Sequence, residues 1–329
     1  MRCPSLKELP SPEGKIGWPW TEESFQLPDK MPDGSLWPTI SIVTPSYNQG
    51  QFIEEAIRSV LLQGYPNVEY FIFDGASEDS SVAVIRKYEK WLTFWVSEKD
   101  HGQTHAINKG LSRSTGNVFN WLNSDDRFTQ GAFAFVAERW MKSKPHFIIG
   151  EADFVDQDGK VVGHFPSKAF RNPIDFISDR GVDVSQPAAF VDRKLIEALG
   201  GSFAEHLNCV MDYEFYLRAV MKLRNKLVTY SMPRKLAYMV DHPDAKTSRI
   251  PDSFRDEWRQ VLIKNFESLN SFYRVCLFFY FRRVEAQFNL GKTRTFASAI
   301  RLLCCYPEMI VCRFFWGFLR QMPWSKISK

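Results

Sequence analysis

Residues 40–48 read ISIVTPSYN, an apolar run cut off by proline and followed by a polar turn. Such a run is a short buried strand, and Pro45 marks its end because proline cannot donate to a strand ladder. The next stretch, QFIEEAIRSVLLQ over 51–63, sets Phe52, Ala56, Ser59, Val60 and Gln63 at helical spacing, with Ile53, Ile57 and Leu61 beside them. A second apolar strand follows from Val68 to Phe73 and ends on Asp74-Gly75. Residues 80–91 read as a helix, 94–96 as a third strand, 104–113 as a helix, and 118–122 as a fourth strand running into Asn123-Ser124-Asp125-Asp126. Strand and helix alternate, which predicts parallel βαβ units with right-handed crossovers. Ligands in such sheets bind at the carboxyl ends of the strands. The 45–48 turn, Asp74 and the Asp125-Asp126 pair all fall at such ends, so a nucleotide is expected there.

The flanks differ from this core. Residues 1–35 are rich in proline with mixed charge and little periodicity, as in a tail or wrapping arm. Beyond Asn265, SFYRVCLFFYFRR and IRLLCCYPEMIVCRFFWGFLRQMPW interleave arginine with aromatics. A helix of this kind either lies in a bilayer interface, its arginines on anionic headgroups, or packs on the catalytic domain. The expected organisation is therefore an N-terminal arm (1–35), a catalytic domain (36–250) and a basic, aromatic helical segment (251–329). With 44% hydrophobic and 24% charged residues the composition is that of a globular protein. A net charge of +4 disfavours a broad nucleic-acid surface. The six cysteines form no CxxC pair and no zinc spacing. The N-terminus has no apolar signal region, and no apolar stretch reaches the roughly 18 residues of a membrane span. The expected location is the cytosol, with peripheral attachment to the membrane's cytoplasmic face through the C-terminal segment.

Asp125-Asp126 is the strongest chemical signal. Adjacent carboxylates repel unless a cation holds them, and hard ions such as Mg²⁺ or Mn²⁺ take oxygen ligands that they share with phosphates. An isolated pair could equally cap a helix. Asp74 has the alternative of an Asx turn at DGAS, and Asp212 that of a helix start.

Taken together, the ordered stretches 40–81, 97–126 (SEKDHGQTHAINKGLSRSTGNVFNWLNSDD), GEADFVDQDGK, SQPAAFVDRKLIEALGGSF and MDYEFYLRA resemble the family-2 glycosyltransferases over about 38–250. The resemblance implies the GT-A fold, a Rossmann-like, mainly parallel sheet flanked by helices. It also implies inverting transfer of one sugar from a nucleotide-diphosphate sugar. Thr44, Pro45, Tyr47 and Asp74 are then expected to border the nucleoside. Asp100, Gln103 and Asn108 join that site, with a solvated helix face as their alternative. Asn123, Ser124, Asp125 and Asp126 match the DxD-type motif, so Asp125 and Asp126 should hold a divalent metal (Mn²⁺ or Mg²⁺) and the diphosphate. Asp212 matches the catalytic base. His242 and Lys246 fall in the late loop expected over the diphosphate, His242 as a metal ligand.

The sequence departs from the family pattern at four positions. Asn123 replaces the first acid of DxD, Gly75 a base-reading aspartate, Met211 the Glu before the catalytic Asp, and His105 a common acid. A UDP-sugar stays the favoured donor, although Gly75 removes one reason for it. The acceptor is expected to be a cell-surface saccharide or a lipid-linked intermediate. The rivals are a nucleotidyltransferase, which would want a basic, Gly-rich first loop, and a catalytically silent sugar-nucleotide-binding protein.

Overall fold

The computed structural model describes residues 1–12, 14–177, 184–243, 245, 252–266 and 280. Lys246 and nearly all of the basic, aromatic C-terminal segment lie outside the described residues. The chain forms two compact units, one of Met1–Asn172 with Val182–Glu257 and one of Pro173–Gly181 with Trp258–Lys329. Within the second, the indole of Trp258 and the ring of Tyr280 meet at 5.5 Å. No described helix is long and apolar enough to cross a membrane.

The first unit is built on the strand read above, β1 (Ile40–Ser46), whose seven residues are all buried. A parallel strand covered on both faces reads as a continuous apolar run. Helix α1 (Ile53–Leu61) returns the chain to β2 (Val68–Asp74), and α2 (Ser81–Tyr88) returns it to β3 (Phe94–Ser97). The single helix expected over 80–91 instead tightens after Tyr88 into a 3-10 turn, Glu89–Trp91, that drops the chain into β3. Helix α3 (Gln103–Arg113) leads to β4 (Val118–Trp121). These four strands are parallel in the order β3-β2-β1-β4, with Ser46 opposite Asp74 and Asp74 opposite Ser97. The carboxyl ends of β1, β2 and β3 are therefore level, β4 ends at Trp121 opposite Val43, and the order reverses between β1 and β4.

The sheet continues through β5 (Arg127–Phe128), β6 (Phe147–Val155), β7 (Val161–Phe165), β8 (Ala189–Asp192) and β9 (Thr229–Val240). Helix α4 (Ala132–Ser143) links β5 to β6, while α5 (Arg193–Ala198) and α6 (Met211–Leu223) follow β8. Beside β4 lies antiparallel β8, then β6, then β9 with β5; β7 hairpins onto the far end of β6. The β6–β9 register slips between Ile149 and Ala152, where Pro233 interrupts β9, as a proline inside a strand requires. Helix α7 (Asp252–Phe266) closes the described part.

Helix α3 packs on β1 without a spacer. A Cβ on Gly110 would lie 2.4 and 2.5 Å from the two Val43 methyls. Gly110→Ala is therefore expected to destabilise the fold by about 1–3 kcal/mol through overpacking, despite alanine's better helix propensity. A lower urea midpoint at unchanged slope would be the signature, and a gain in stability would contradict this packing.

The proline-rich arm belongs to this unit. Cys3, Leu9, Trp20 and Trp37 are buried, and the Trp18 indole donates to Phe128 O at 2.8 Å. Burial pushes the Cys3 thiol up to about 12, which leaves it unreactive. The anchor is Arg58 on α1, wholly buried. Its guanidinium donates to the main-chain carbonyls of Pro19 (2.9 Å), Pro10 (2.8 Å) and Trp20 (2.9 Å), and to the Tyr88 hydroxyl (3.2 Å).

Candidate active site

At the carboxyl ends of β1, β2 and β4 lies a cavity of about 1000 Å³. Nine of the residues expected from the sequence stand on its wall: Pro45, Tyr47, Asp100, Gln103, Asn123, Ser124, Asp125, Asp126 and Asp212. Strand β4 delivers the acid pair and the start of α6 delivers Asp212, so the two ends of the expected chemistry face one space.

The acid pair is held by a relay. Gln103 Nε2 donates to Asn123 Oδ1 at 2.6 Å, and Asn123 Nδ2 donates to Asp126 Oδ2 at 3.0 Å. Asn123, the departure from the family motif, thus fixes the carboxylate that it does not itself supply. Burial first, and the Asp125 charge second, push the Asp126 carboxyl well above the ordinary range, against the Asn123 amide and the main chain of Val240. A buried carboxylate beside a second one fits a hard cation, which would relieve both effects. Among the described residues no three His, Cys, Asp or Glu side chains form a ready metal cage. Asp125 and Asp126 would hold such an ion, with the other positions left to phosphate oxygens and water.

His242, expected as a metal ligand, is not on the cavity wall. Its Nε2 lies 3.2 Å from Asp125 Oδ2, and its ring packs on Phe52 at 4.4 Å, almost fully buried. It orients Asp125 from behind. Asp212 stands in the first turn of α6, where its Oδ1 accepts from the Tyr213 N–H at 2.7 Å. Met211, in place of the family's Glu, sits with its sulfur 2.8 Å from Thr104 Oγ1 and so packs α6 against α3.

Three further expectations land off the cavity. Thr44 is buried with its hydroxyl 3.1 Å from that of Tyr70, one residue deeper than Pro45, Ser46 and Tyr47, which line the cavity. Asp74 is saturated: it accepts from Ser77 N (2.9 Å), Ser77 Oγ (2.5 Å) and Ser97 Oγ (2.6 Å). It shapes the turn that follows it. Asn108 clamps the loop after α5, donating to Phe203 O and accepting from Phe203 N, each at 2.9 Å.

Sequence reasoning missed other wall residues. A Cβ on Gly75 would lie 3.1 Å from Asp100 Oδ2 and 3.3 Å from the Tyr47 ring, so the missing side chain leaves room for that carboxylate. Ser46 Oγ, Gln49 Oε1 and Gln186 Oε1 are buried on the wall with no partner among the described residues. Phe154, Phe165, Met239 and Phe254 make an apolar side of the same cavity. Of these, Ser46, Gln49, Gly75, Phe154 and Gln186 lie inside stretches already singled out, and only Gly75 was itself named there.

Residues 41–200 match the family described as glycosyl transferase family 2. An uncharacterized glycosyltransferase of Mycobacterium tuberculosis is 29% identical over 189 residues, 56% of this chain and 70% of that protein. The Bacillus subtilis protein TuaG, named as a teichuronic acid biosynthesis glycosyltransferase, is 31% identical over 131 residues, 39% of this chain and 52% of its own. Among solved structures, S. aureus TarS 1–349 in complex with UDP-GlcNAc superposes with a TM-score of 0.58 at 16% identity, over 87% of this chain and 82% of that one. At that identity the likeness is one of fold.

Proposed function

The chain belongs to the family-2 glycosyltransferases and has their GT-A fold, and on that premise we propose that it moves one sugar from a nucleotide-diphosphate sugar to an acceptor hydroxyl with inversion. The observation that carries this reading is that Asp125, Asp126 and Asp212 line a single cavity at the carboxyl edge of a parallel sheet. The nucleoside lies along Pro45 and Tyr47, with the Asp100 carboxylate beside the slot that Gly75 leaves open. A UDP-sugar is the favoured donor.

Asp125 and Asp126 would hold a divalent ion, Mn²⁺ or Mg²⁺, at the diphosphate end of the site. When bound, that ion neutralises charge on the departing phosphate oxygens. Asp212 accepts the proton of the acceptor hydroxyl as its oxygen bonds to the anomeric carbon. The bond from that carbon to the diphosphate oxygen breaks on the opposite face, and its electron pair leaves with the nucleoside diphosphate. Gln103 and Asn123 keep Asp126 in place throughout, and His242 does the same for Asp125.

The acceptor is a cell-surface saccharide or lipid-linked intermediate. The apolar wall of Phe154, Phe165, Met239 and Phe254 supports an acceptor with an apolar face, and the likeness to TuaG, named for teichuronic acid biosynthesis, is in keeping with a cell-surface one. Lys246 is assigned to the same diphosphate end, and the C-terminal segment to a membrane surface, on the sequence argument alone.

Asp126→Ala is expected to weaken the Mn²⁺-dependent part of UDP binding at least about tenfold and to leave the metal-independent part unchanged. Calorimetric titration of UDP with and without Mn²⁺ reads both. Wild-type turnover that persists in excess chelator would remove the ion from the reaction.

A further inference from the structure

Asp212 is the second residue of α6, yet the chain that leads to it has little structure of its own. Residues 199–210 lie in neither helix nor strand, with Gly200 and Gly201 at positive φ. The helix also starts without a side-chain cap, because Val210 stands where Ser, Thr, Asn or Asp would accept from the first turn. Four of the five residues 208–212 nonetheless line the cavity: Asn208, Cys209, Met211 and Asp212. Groups from outside the loop must hold it there.

Glu257, in the second turn of α7, is one of them. Its Oε2 accepts from the Asn208 N–H at 3.1 Å and the Cys209 N–H at 2.9 Å, and its Oε1 also faces the Asn208 N–H at 3.1 Å. Bonds from main-chain N–H groups to a carboxylate are stronger than neutral ones, and a negative charge suits the positive end of the α6 dipole. The other end of the 207–208 peptide is held from α3, where Thr104 Oγ1 lies 3.2 Å from Leu207 O. One peptide plane is thus gripped by its oxygen and by its nitrogen, from two helices far apart in the chain. Fixing that plane fixes where α6 starts, and Asp212 follows within a turn. Phe254, one turn before Glu257 on α7, stands on the apolar wall assigned above to the acceptor.

We propose that Glu257 is a positioning residue for Asp212, and that its reach, not its charge, sets the base against the acceptor hydroxyl. This rests on the reading of Asp212 as the base. Two substitutions separate reach from charge. Glu257→Gln keeps the length and an oxygen able to accept from both N–H groups, and loses the charge. Glu257→Asp keeps the charge and falls one methylene short of both.

The full chain and its variants are assayed, with Mn²⁺ and with water as acceptor, for release of UDP from UDP-GlcNAc, GDP from GDP-mannose and dTDP from dTDP-glucose. A reacting group misplaced by about 1 Å can lose about 10²-fold in rate. Glu257→Asp and Glu257→Ala should each lower kcat at least about tenfold, with the donor KM within about twofold of wild type, while Glu257→Gln stays within about threefold. Asp212→Asn supplies the second arm. A residue that acts only through Asp212 has nothing left to position there, so Glu257→Asp should cost less than about twofold more in that background.

The reverse pattern, with aspartate active and glutamine not, would make charge the agent and overturn the proposal. So would losses that multiply across the two backgrounds, or wild-type turnover by Glu257→Ala; both leave Asp212 as the base. Wild-type turnover by Asp212→Asn overturns the base reading, and the proposal with it. If wild type turns over none of the three donors, amide hydrogen exchange decides. Glu257→Asp should then speed exchange at Asn208 and Cys209, and Glu257→Gln should not. Exchange unchanged in both variants, or faster through the whole of α6, overturns the proposal.

Discussion

Asp212→Asn should abolish sugar transfer and leave the nucleotide where it was. Asparagine has the same shape and can still accept from the Tyr213 N–H, so the start of α6 should keep its form. It cannot take a proton. A positioned general base contributes about 10²–10⁴ in rate, and the loss in kcat should fall in that range. The affinity for UDP with Mn²⁺ should stay within twofold of wild type, because the diphosphate is assigned to Asp125 and Asp126 and not to Asp212. Turnover within tenfold of wild type would remove Asp212 from the reaction. A matched loss of nucleotide binding would mean that the residue holds structure and does no proton transfer.

The second large effect should appear in stability. Arg58→Met keeps much of the aliphatic volume and removes the guanidinium. Three main-chain carbonyls then lose their donor, those of Pro19 and Trp20 buried and that of Pro10 partly so. Each unsatisfied group costs about 1–3 kcal/mol, so a total of roughly 4 kcal/mol is expected after relaxation. Urea denaturation should show the drop. Limited proteolysis should cut first within residues 1–35, because their attachment is what the substitution breaks. A change below about 1 kcal/mol would show that the arm is held by its buried tryptophans instead.

Much of this was legible because parallel strands announce themselves. β1, β2 and β4 are buried on both faces and read as apolar runs, and their polar exits carry the site. The helix expected over 104–113 begins one residue earlier, at Gln103. What stayed hidden depends on which way a side chain turns and on what meets it from far along the chain. Thr44 and Pro45 are neighbours, yet only one faces the cavity. Asp74 reads as a nucleotide ligand, yet Ser77 and Ser97 give it three hydrogen bonds and it stands off the cavity wall. Asn108 meets Phe203, 95 positions away, and His242 meets Asp125 across 117. No local pattern encodes such partnerships. The same holds for β9, whose pairing with β6 and β5 depends on partners about eighty to a hundred and ten residues earlier and is broken near Pro233.

Within the arm, every hydrogen bond from Arg58 goes to a main-chain oxygen, and its one side-chain contact there is the Trp20 ring, 5.5 Å from the guanidinium. Carbonyls are common to every amino acid, so much of the arm's composition is free to vary, provided that its backbone follows the same course. Substitutions can therefore accumulate along 1–35 while the attachment persists. The recognisable family pattern accordingly begins at residue 41, although the folded unit begins forty residues before it. In this chain the boundary of what relatives share in letters is not the boundary of what the protein needs in order to stand.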